Sequence, residues 1–343
     1  MHLRSWPLLT FSTVVLLVMS GCPFQKKPTS ADLSRHKVRQ LAYWKLPMAK
    51  PFADRIATAP TDLIEYLNLD NEVNGFDGSP SASPLSHEFK GYVQSVLEAL
   101  PPKFKAKLED KLIGVFTVTG LGSSAYTDFV RDADGHPVAA FVALDTLALK
   151  RKANAWLTWK ESSPFLPDSA WRVEGILAEP ALDSEREALE FVLIHELAHV
   201  VAFDEDVHPL WSLAPKLVNP DDYPFLSVAW TVEDSRYVRK VDKTFPAPGP
   251  IIYYKPSSER PLASALPRYY TWLQNSDFVT LYAATNPFDD FADTVATYIH
   301  TVVMKKPFEI RIFENGTLRY TIPACWTEPR CAKKRLALEE FLL

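Results

Sequence analysis

Two histidines and a glutamate lie within one five-residue stretch of this chain. His195, Glu196 and His199 form the pattern H-E-x-x-H, inside an apolar run from Phe191 to Phe203. A capping box that begins at Ser184 precedes the run and predicts a helix. Side chains four positions apart share a helix face, about 6 Å apart along the axis. Both imidazoles can therefore bind one metal ion.

The glutamate of this pattern can act as a general base. Beside two metal-binding imidazoles, the carboxylate of Glu196 can take a proton from a water molecule that the metal activates. A core helix with two satisfied histidines is the structural alternative. Two imidazoles and a carboxylate buried without partners would be costly, which favours the metal. A hydrolytic zinc site has three protein ligands and one open position, so a third ligand is expected.

Three sources could supply the third ligand. A metzincin would carry Gly at position 202 and His at position 205, whereas this chain has Ala202 and Glu205, which excludes that pattern. Glu205 or Asp206, just after the helix, could reach back to the metal, although no glycine between 200 and 203 turns the chain. The remaining source is an acid on a second helix.

A second helix with suitable acids is predicted from segment 282–300, which reads YAATNPFDDFADTVATYIH. Asn286 is a good N-cap and Pro287 suits the first helical position. Asp289 and Asp293 then lie four residues apart on one face. The segment therefore offers two carboxylates to a metal held by the first helix.

This segment resembles the site helix of gluzincin zinc metallopeptidases related to the catalytic domain of anthrax lethal factor. In that pattern a Tyr and a Thr-Asn pair precede a ligand Glu, which lies seven residues after the Tyr and is followed by Phe-Phe-Ala-Glu. The resemblance extends from about Leu112 to Met304 and is specific at the two motifs. It implies that Asp289 is the third metal ligand, that Asp293 supports a ligand histidine from behind, and that Tyr282 assists the transition state. Both acids are Asp, one methylene shorter than the family's Glu, so Asp293 stays an alternative ligand.

The resemblance predicts an α+β fold of the zincin-like metallopeptidase type. A small twisted sheet, the H-E-x-x-H helix and a second ligand helix would form it, with a helical N-terminal part. The predicted function is a membrane-anchored metallopeptidase that uses one Zn²⁺ and cleaves peptide or protein substrates. Two alternatives remain. One is a catalytically silent structural or binding lipoprotein that contains zinc, and the other is a zinc hydrolase of a non-protein envelope substrate.

The beginning of the chain predicts export and lipid anchoring. A weakly basic start is followed by the apolar run Leu8–Met19, which is short for a membrane span. Segment 18–22, VMSGC, resembles a bacterial lipobox. That resemblance implies removal of residues 1–21 and attachment of diacylglycerol and palmitate at Cys22, which would hold the protein on a lipid bilayer in the cell envelope. Pro23 favours the outer membrane if the source is Gram-negative. An ordinary signal peptide is the alternative.

Composition and charge limit the remaining possibilities. The 343 residues are 47% hydrophobic, which is typical of a globular protein, and the net charge of −5 gives no reason to expect nucleic acid as a partner. The predicted regions are a signal peptide (1–21), a tether (22–40), a helical N-terminal region (41–111), a catalytic domain (112–306) with an insertion (204–277), and a hairpin with a closing helix (307–343).

Alternating patterns predict strands ahead of the metal motif. Ile113–Thr119, Tyr126–Val130 and Val138–Leu144 have strand character, and the last two flank a hairpin loop. A peptide substrate can pair with the edge of such a sheet, and Val138–Leu144 is the predicted edge. Cys325 and Cys331 are close enough in sequence for a disulfide outside the cytoplasm, with free thiols as the alternative.

Overall fold

The structure is a computed structural model that describes residues 27–202, 208–211, 213–241, 251–254 and 259–342. The predicted signal peptide and Cys22 lie outside these residues. The described α-helices are α1 (Ser30–Arg35), α2 (Lys45–Met48), α3 (Thr61–Asn74), α4 (His87–Ala99), α5 (Pro102–Glu109), α6 (Ala153–Ser162), α7 (Glu185–Ala202), α8 (Leu226–Ala229), α9 (Leu266–Gln274), α10 (Pro287–Tyr298) and α11 (Ala332–Leu342). The described strands are β1 (Ile56–Thr58), β2 (Ser81–Ala82), β3 (Leu112–Thr119), β4 (Ala125–Arg131), β5 (Pro137–Asp145), β6 (Trp171–Ile176), β7 (Trp230–Glu233), β8 (Arg236–Arg239), β9 (Glu309–Glu314) and β10 (Thr317–Pro323).

A mixed sheet forms the centre of this α+β fold. Its strand order is β1-β3-β5-β4, and the short β2 pairs with β3 as well. Strands β1, β3 and β5 are parallel neighbours, whereas β4 runs antiparallel to β5. The prediction that Val138–Leu144 forms the edge is therefore wrong. This strand is a nearly continuous apolar run, as expected for an internal strand buried on both faces, and β4 is the edge.

Alternate residues of β5 face two separate cores. Ala140, Val142 and Leu144 belong to a large core on the α7 side. On the opposite face, the neighbouring residues Ala139, Phe141 and Ala143 belong to a second core with α3. Because side chains of a strand alternate between faces, one strand supports both cores. The sheet is thus a rigid platform on which the H-E-x-x-H helix is fixed.

Sheet pairing crosses the region boundaries predicted from composition. Strands β1 and β2 come from the predicted helical region 41–111 but pair with β3. Strands β9 and β10 come from region 307–343 and form a second sheet with β6. A third pair, β7 and β8, lies within the predicted insertion 204–277. The predicted boundaries at 112 and 307 therefore fall inside sheets.

The predicted tether is folded where it is described. Helix α1 begins at Ser30, and Val38 is fully buried. The indole N–H of Trp44 donates to the carbonyl of Val38 at 2.7 Å. The polar and basic composition of residues 22–40 predicted a tether because most of these residues are hydrophilic. Two apolar side chains among them, Leu33 and Val38, nevertheless pack into the core on the α3 side of the sheet.

Helix α10 lies against α7, and α6 packs on strand β6. The approach of α6 to β6 requires Gly175, because a Cβ there would collide with the side chain and backbone of Leu157. The helical backbone of α10 continues as a π-helical turn, Ile299–Val303. These contacts place α6, α7 and α10 around one buried region.

Helix α11 is joined to α10 by a buried ion pair. The side chains of Lys334 and Asp290 are both fully buried, and the ammonium donates to the carboxylate at 2.7 Å. The indole N–H of Trp230 donates to the same carboxylate at 2.9 Å. Removing one partner of such a pair leaves an uncompensated buried charge, which is strongly destabilising.

Just before α11, Cys325 and Cys331 are joined by a disulfide.

Among the described residues, none of the helices has both the length and the apolar character that crossing a bilayer requires.

Candidate metal centre

Helix α7 presents both imidazoles of the H-E-x-x-H motif to one point. From Ala188 to Ala202 every residue of this helix is buried, because it lies between the sheet and α10. His195 and His199 are one turn apart, and their Nε2 atoms lie 3.2 Å from each other. Two ring nitrogens at this distance converge on a single position.

Helix α10 brings a carboxylate to the same position through its N-cap. The side-chain oxygen of Asn286 accepts the backbone N–H groups of Phe288 at 3.0 Å and Asp289 at 2.9 Å. Its amide also donates to Oδ2 of Asp289 at 2.6 Å. The other oxygen, Oδ1, lies 3.7 Å from His195 Nε2 and 3.5 Å from His199 Nε2. The capping residue therefore orients the acid.

The three donor atoms fit one zinc ion. Two imidazole nitrogens and one carboxylate oxygen are a donor set of hydrolytic zinc sites. Ligands held about 2.0–2.2 Å from a tetrahedral ion lie roughly 3.3–3.6 Å from each other. The ligand atoms of His195, His199 and Asp289 all lie within 4.8 Å of one another, and their closest separations are 3.2, 3.5 and 3.7 Å.

Asp293 lies behind one of these imidazoles. Its Oδ1 is 2.8 Å from Nδ1 of His195, so that nitrogen donates, and once the ring is neutral the lone pair of Nε2 faces the metal position. Its Oδ2 accepts from Lys160 at 3.1 Å and from the hydroxyl of Thr280. Burial raises the pKa of Asp293, but Lys160 and His195 outweigh this effect and lower it to about 2. Asp293 is thus an anion that orients His195.

A substitution at Asp293 should weaken zinc binding without abolishing it. We expect Asp293→Asn to lower zinc affinity by about 10- to 100-fold, as is typical when the partner of a ligand histidine is lost. Asp289→Ala should lower it further, because it removes a donor atom. Competition with a chromophoric chelator measures both affinities, and the reverse order would show that Asp293 is the ligand.

The imidazole of His195 holds a proton between two carboxylates when no metal is bound. Burial lowers the pKa of His195, but the facing Asp289 and Asp293 outweigh burial and raise it to about 10. The protonated form therefore stabilises the metal-free fold fully below pH about 6.5, and this contribution is lost as the pH rises through about 10. A metal requires the neutral imidazole.

Zinc binding should therefore release a proton. At pH 8 we expect about one proton per zinc ion from His195, because its pKa in the metal-free protein lies above that pH. Titration calorimetry in buffers of different ionisation enthalpy counts the protons. If the His195→Ala protein still binds some zinc, its binding should release about one proton fewer per zinc ion. Zinc binding to the unmodified protein without proton release would show that His195 is already neutral.

The carboxylate of Glu196 is held by the edge strand. Thr127 on β4 donates its hydroxyl to Glu196 Oε2 at 2.6 Å, and both residues are buried. Because Thr127 faces α7 from the pleated edge, β4 and α7 fix the general-base candidate together. The motif identified Glu196, whereas no local pattern in the sequence marked Thr127 as its partner.

A cleft of about 640 Å³ borders one of the three candidate ligands, Asp289. Asp289, Thr127, Tyr253, Tyr254 and Tyr282 are among its lining residues. The ring of Tyr282 lies 5.7 Å from that of His195, centre to centre. Burial raises the pKa of the Tyr282 phenol well above its usual value, so its hydroxyl stays protonated and can donate a hydrogen bond.

Sequence reasoning missed several residues of this site. Tyr254 lines the cleft at an unusual positive φ of 58°, and Lys160 lies 4.6 Å from the ring centre of Tyr282. Neither belongs to a recognisable motif, since their positions depend on how α6 and a distant loop pack. The alternative ligands Glu205 and Asp206 lie outside the described residues.

A second group of possible ligands, Asp132, Asp134 and His136, lies in the exposed loop between β4 and β5. There Asp132 accepts the backbone N–H groups of the other two residues, which shapes the turn. This carboxylate therefore has a structural role in the loop.

Comparisons with known protein families, curated proteins and solved structures find no match for this chain.

Proposed function

We propose that this chain is a zinc-dependent metallopeptidase with a zincin-like catalytic region of the gluzincin type. The observation that carries the proposal is the convergence of His195, His199 and Asp289 on one point, with Glu196 held beside it. A purely structural zinc site usually has four protein ligands and does not need a neighbouring general base. The donor set and the base together favour hydrolysis.

The chain's own residues divide the reaction between them. Zinc, when bound, supplies a Lewis acid and makes water acidic enough to react near neutral pH. Glu196 accepts the proton of the attacking water and passes it to the leaving amine. Tyr282 donates its hydroxyl to the oxygen that becomes negative in the transition state. Asp293 keeps His195 in the orientation and tautomer that the metal needs.

Strand β4 offers a place for an extended substrate. Among the described residues it pairs with β5 on one side, and on the other side only a single bridge joins Gln40 to Arg131. An extended peptide can add to such an edge through main-chain hydrogen bonds. A peptide bound in this way would pass Thr127 and therefore Glu196, which supports a peptide as the substrate.

Peptide digestion tests this function. We expect protein loaded with one equivalent of zinc to cleave casein or members of a peptide library, and chelation of the zinc to abolish cleavage. Readdition of zinc should restore it. Zinc binding without cleavage of any peptide would instead support a silent zinc lipoprotein or a hydrolase of a different envelope substrate.

The proposal includes a lipid anchor at Cys22. The lipobox-like segment 18–22 motivates it, and this segment lies outside the described residues. In a bacterial host, radiolabelled palmitate should enter the unmodified protein and should not enter Cys22→Ser. Release of the unmodified protein as a free, unlabelled product would show that the segment is an ordinary signal peptide.

A further inference from the structure

The first described segment of the chain carries an excess of positive charge. Residues 27–55 contain seven Lys and Arg against two Asp, a net charge of +5, whereas the whole chain has a net charge of −5. In sequence, this segment follows directly after the residues that predict a lipid anchor. A positive segment in a negatively charged protein favours an anionic partner for this part of the surface.

Helix α2, within this segment, is fixed to the body of the protein by one of its sides. Trp44, directly before the helix, is buried, and its ring centre lies 5.2 Å from that of Phe116. Met48, four positions after Trp44, packs against the same core on the α3 side of the sheet. Residues four positions apart share a helix face, so the opposite side of α2 points to solvent.

The outer side of α2 carries one large apolar side chain between two cations. Leu46 is 83% exposed, the highest value among the large hydrophobic residues in the described part of the chain. Lys45 and Lys50 lie on either side of it in sequence and are exposed as well. We call Lys45, Leu46 and Lys50 the α2 face. It combines apolar surface that no other part of the fold covers with positive charge.

The acids near the α2 face are engaged with other cations. Asp62 is paired with Lys37 at 2.7 Å, and Asp54 lies 3.6 Å from Lys90. Within the residues that the structure describes, neither lysine of the α2 face forms an ion pair with a carboxylate. Both ammonium groups are therefore available to an anionic partner outside the chain.

We infer that the α2 face binds the surface of an anionic phospholipid bilayer, where Leu46 enters the interface and the two lysines contact phosphate groups. Cationic side chains are attracted by the negative potential of such a surface, and an apolar side chain gains free energy by leaving water. The proposed lipid at Cys22 would keep the protein at the membrane, and the α2 face would set which side of the protein faces it. The inference depends on neither zinc nor peptidase activity.

The segment that carries the α2 face also reaches the cleft beside the candidate metal centre. Arg39 is one of the residues that line this cleft. Its guanidinium is paired with Asp128 on β4, and the next residue, Gln40, forms a bridge to Arg131 at the end of that strand. Because this segment is joined to the edge strand, binding of the α2 face to a bilayer would fix the orientation of the cleft relative to the membrane.

Vesicle flotation tests this inference with protein that carries no lipid. The chain from residue 23 onward contains every described residue and lacks Cys22. We expect it to float with vesicles of phosphatidylglycerol and phosphatidylethanolamine and to bind phosphatidylcholine vesicles much more weakly. Binding to the anionic vesicles should decrease as salt is added, because salt screens exposed charges.

Removal of the two charges should weaken this binding. The double variant Lys45→Gln, Lys50→Gln should bind anionic vesicles roughly 25-fold more weakly, since each Lys near such a surface contributes about five-fold. The matched control is Lys150→Gln, Lys152→Gln, which makes the same change at two exposed positions before α6. This control should bind like the unmodified chain.

The position of Leu46 can be observed directly. In the chain without Cys22, the remaining cysteines form the disulfide, so Leu46→Cys introduces a single free thiol for an environment-sensitive fluorophore. Its emission should shift to shorter wavelength when anionic vesicles are added, because the label leaves water. The same label at Leu336→Cys, an exposed position on α11, should show no shift.

The outcomes separate this inference from the proposed function. Failure of the unmodified chain to bind anionic vesicles, undiminished binding by the double variant of the α2 face, or an unshifted label at position 46 overturns the inference. Binding to nucleic acid in preference to vesicles would assign the positive surface to another partner and would overturn it as well. Zinc content and peptide cleavage are measured independently of all these results.

Discussion

The Glu196→Gln protein should bind zinc as well as the unmodified protein and lose peptide hydrolysis. Gln has nearly the shape of Glu and can still accept the hydrogen bond from Thr127, which in this structure is 2.6 Å long. It cannot accept a proton from water, and loss of a general base typically costs about 10²- to 10⁴-fold in rate. Zinc content by elemental analysis and kcat/KM on one cleaved peptide measure the two properties.

A matched control is available on the same helix. Glu185→Gln makes the same chemical change at an exposed position of α7, and it should keep both zinc and activity. Undiminished turnover by Glu196→Gln would reject Glu196 as the base. Loss of zinc from that variant would show that Glu196 contributes to metal binding and not to proton transfer alone.

The second large effect is expected at the histidines. The unmodified protein should bind about one equivalent of zinc, and His195→Ala and His199→Ala should each weaken binding by more than the roughly 10- to 100-fold expected for a residue behind a ligand. The reason is geometric: their Nε2 atoms are 3.2 Å apart, and each supplies a donor that no neighbour replaces.

His136→Ala is the control for these variants. His136 lies in the exposed loop between β4 and β5, and its loss should leave the zinc content unchanged. If carefully prepared unmodified protein contains no zinc and takes up none, the metal assignment is wrong. If His136→Ala alone loses the ion, the metal belongs to the exposed loop instead.

The parts of the site that the sequence predicts are those with local signals. The one-turn spacing of His195 and His199 depends on a single helix. The cap at Asn286 is likewise local, and the structure shows its side chain bonded to the amides of residues 288 and 289. These two signals predicted a pair of imidazoles and two acids, Asp289 and Asp293, and the resemblance to gluzincins favoured Asp289 as the ligand.

The remaining features depend on contacts between distant segments. The edge of the sheet was assigned to the wrong strand because alternation reveals a strand but not its neighbours. Lys160 reaches Asp293 from 133 positions away, and Thr127 reaches Glu196 from 69. No periodicity or capping signal encodes such pairs, since they follow from the packing of whole elements.

The buried pair between Lys334 and Asp290 has a consequence for the order in which the protein matures. Asp290 adjoins Asp289, yet its cation is 44 positions later in the chain. While the chain is being made, α10 carries an acid that cannot be buried favourably until α11 arrives. We therefore expect α10 to reach its final position only after α11 has docked, so that zinc loading is a late event and shortened forms that lack residues 332–342 are poor zinc acceptors.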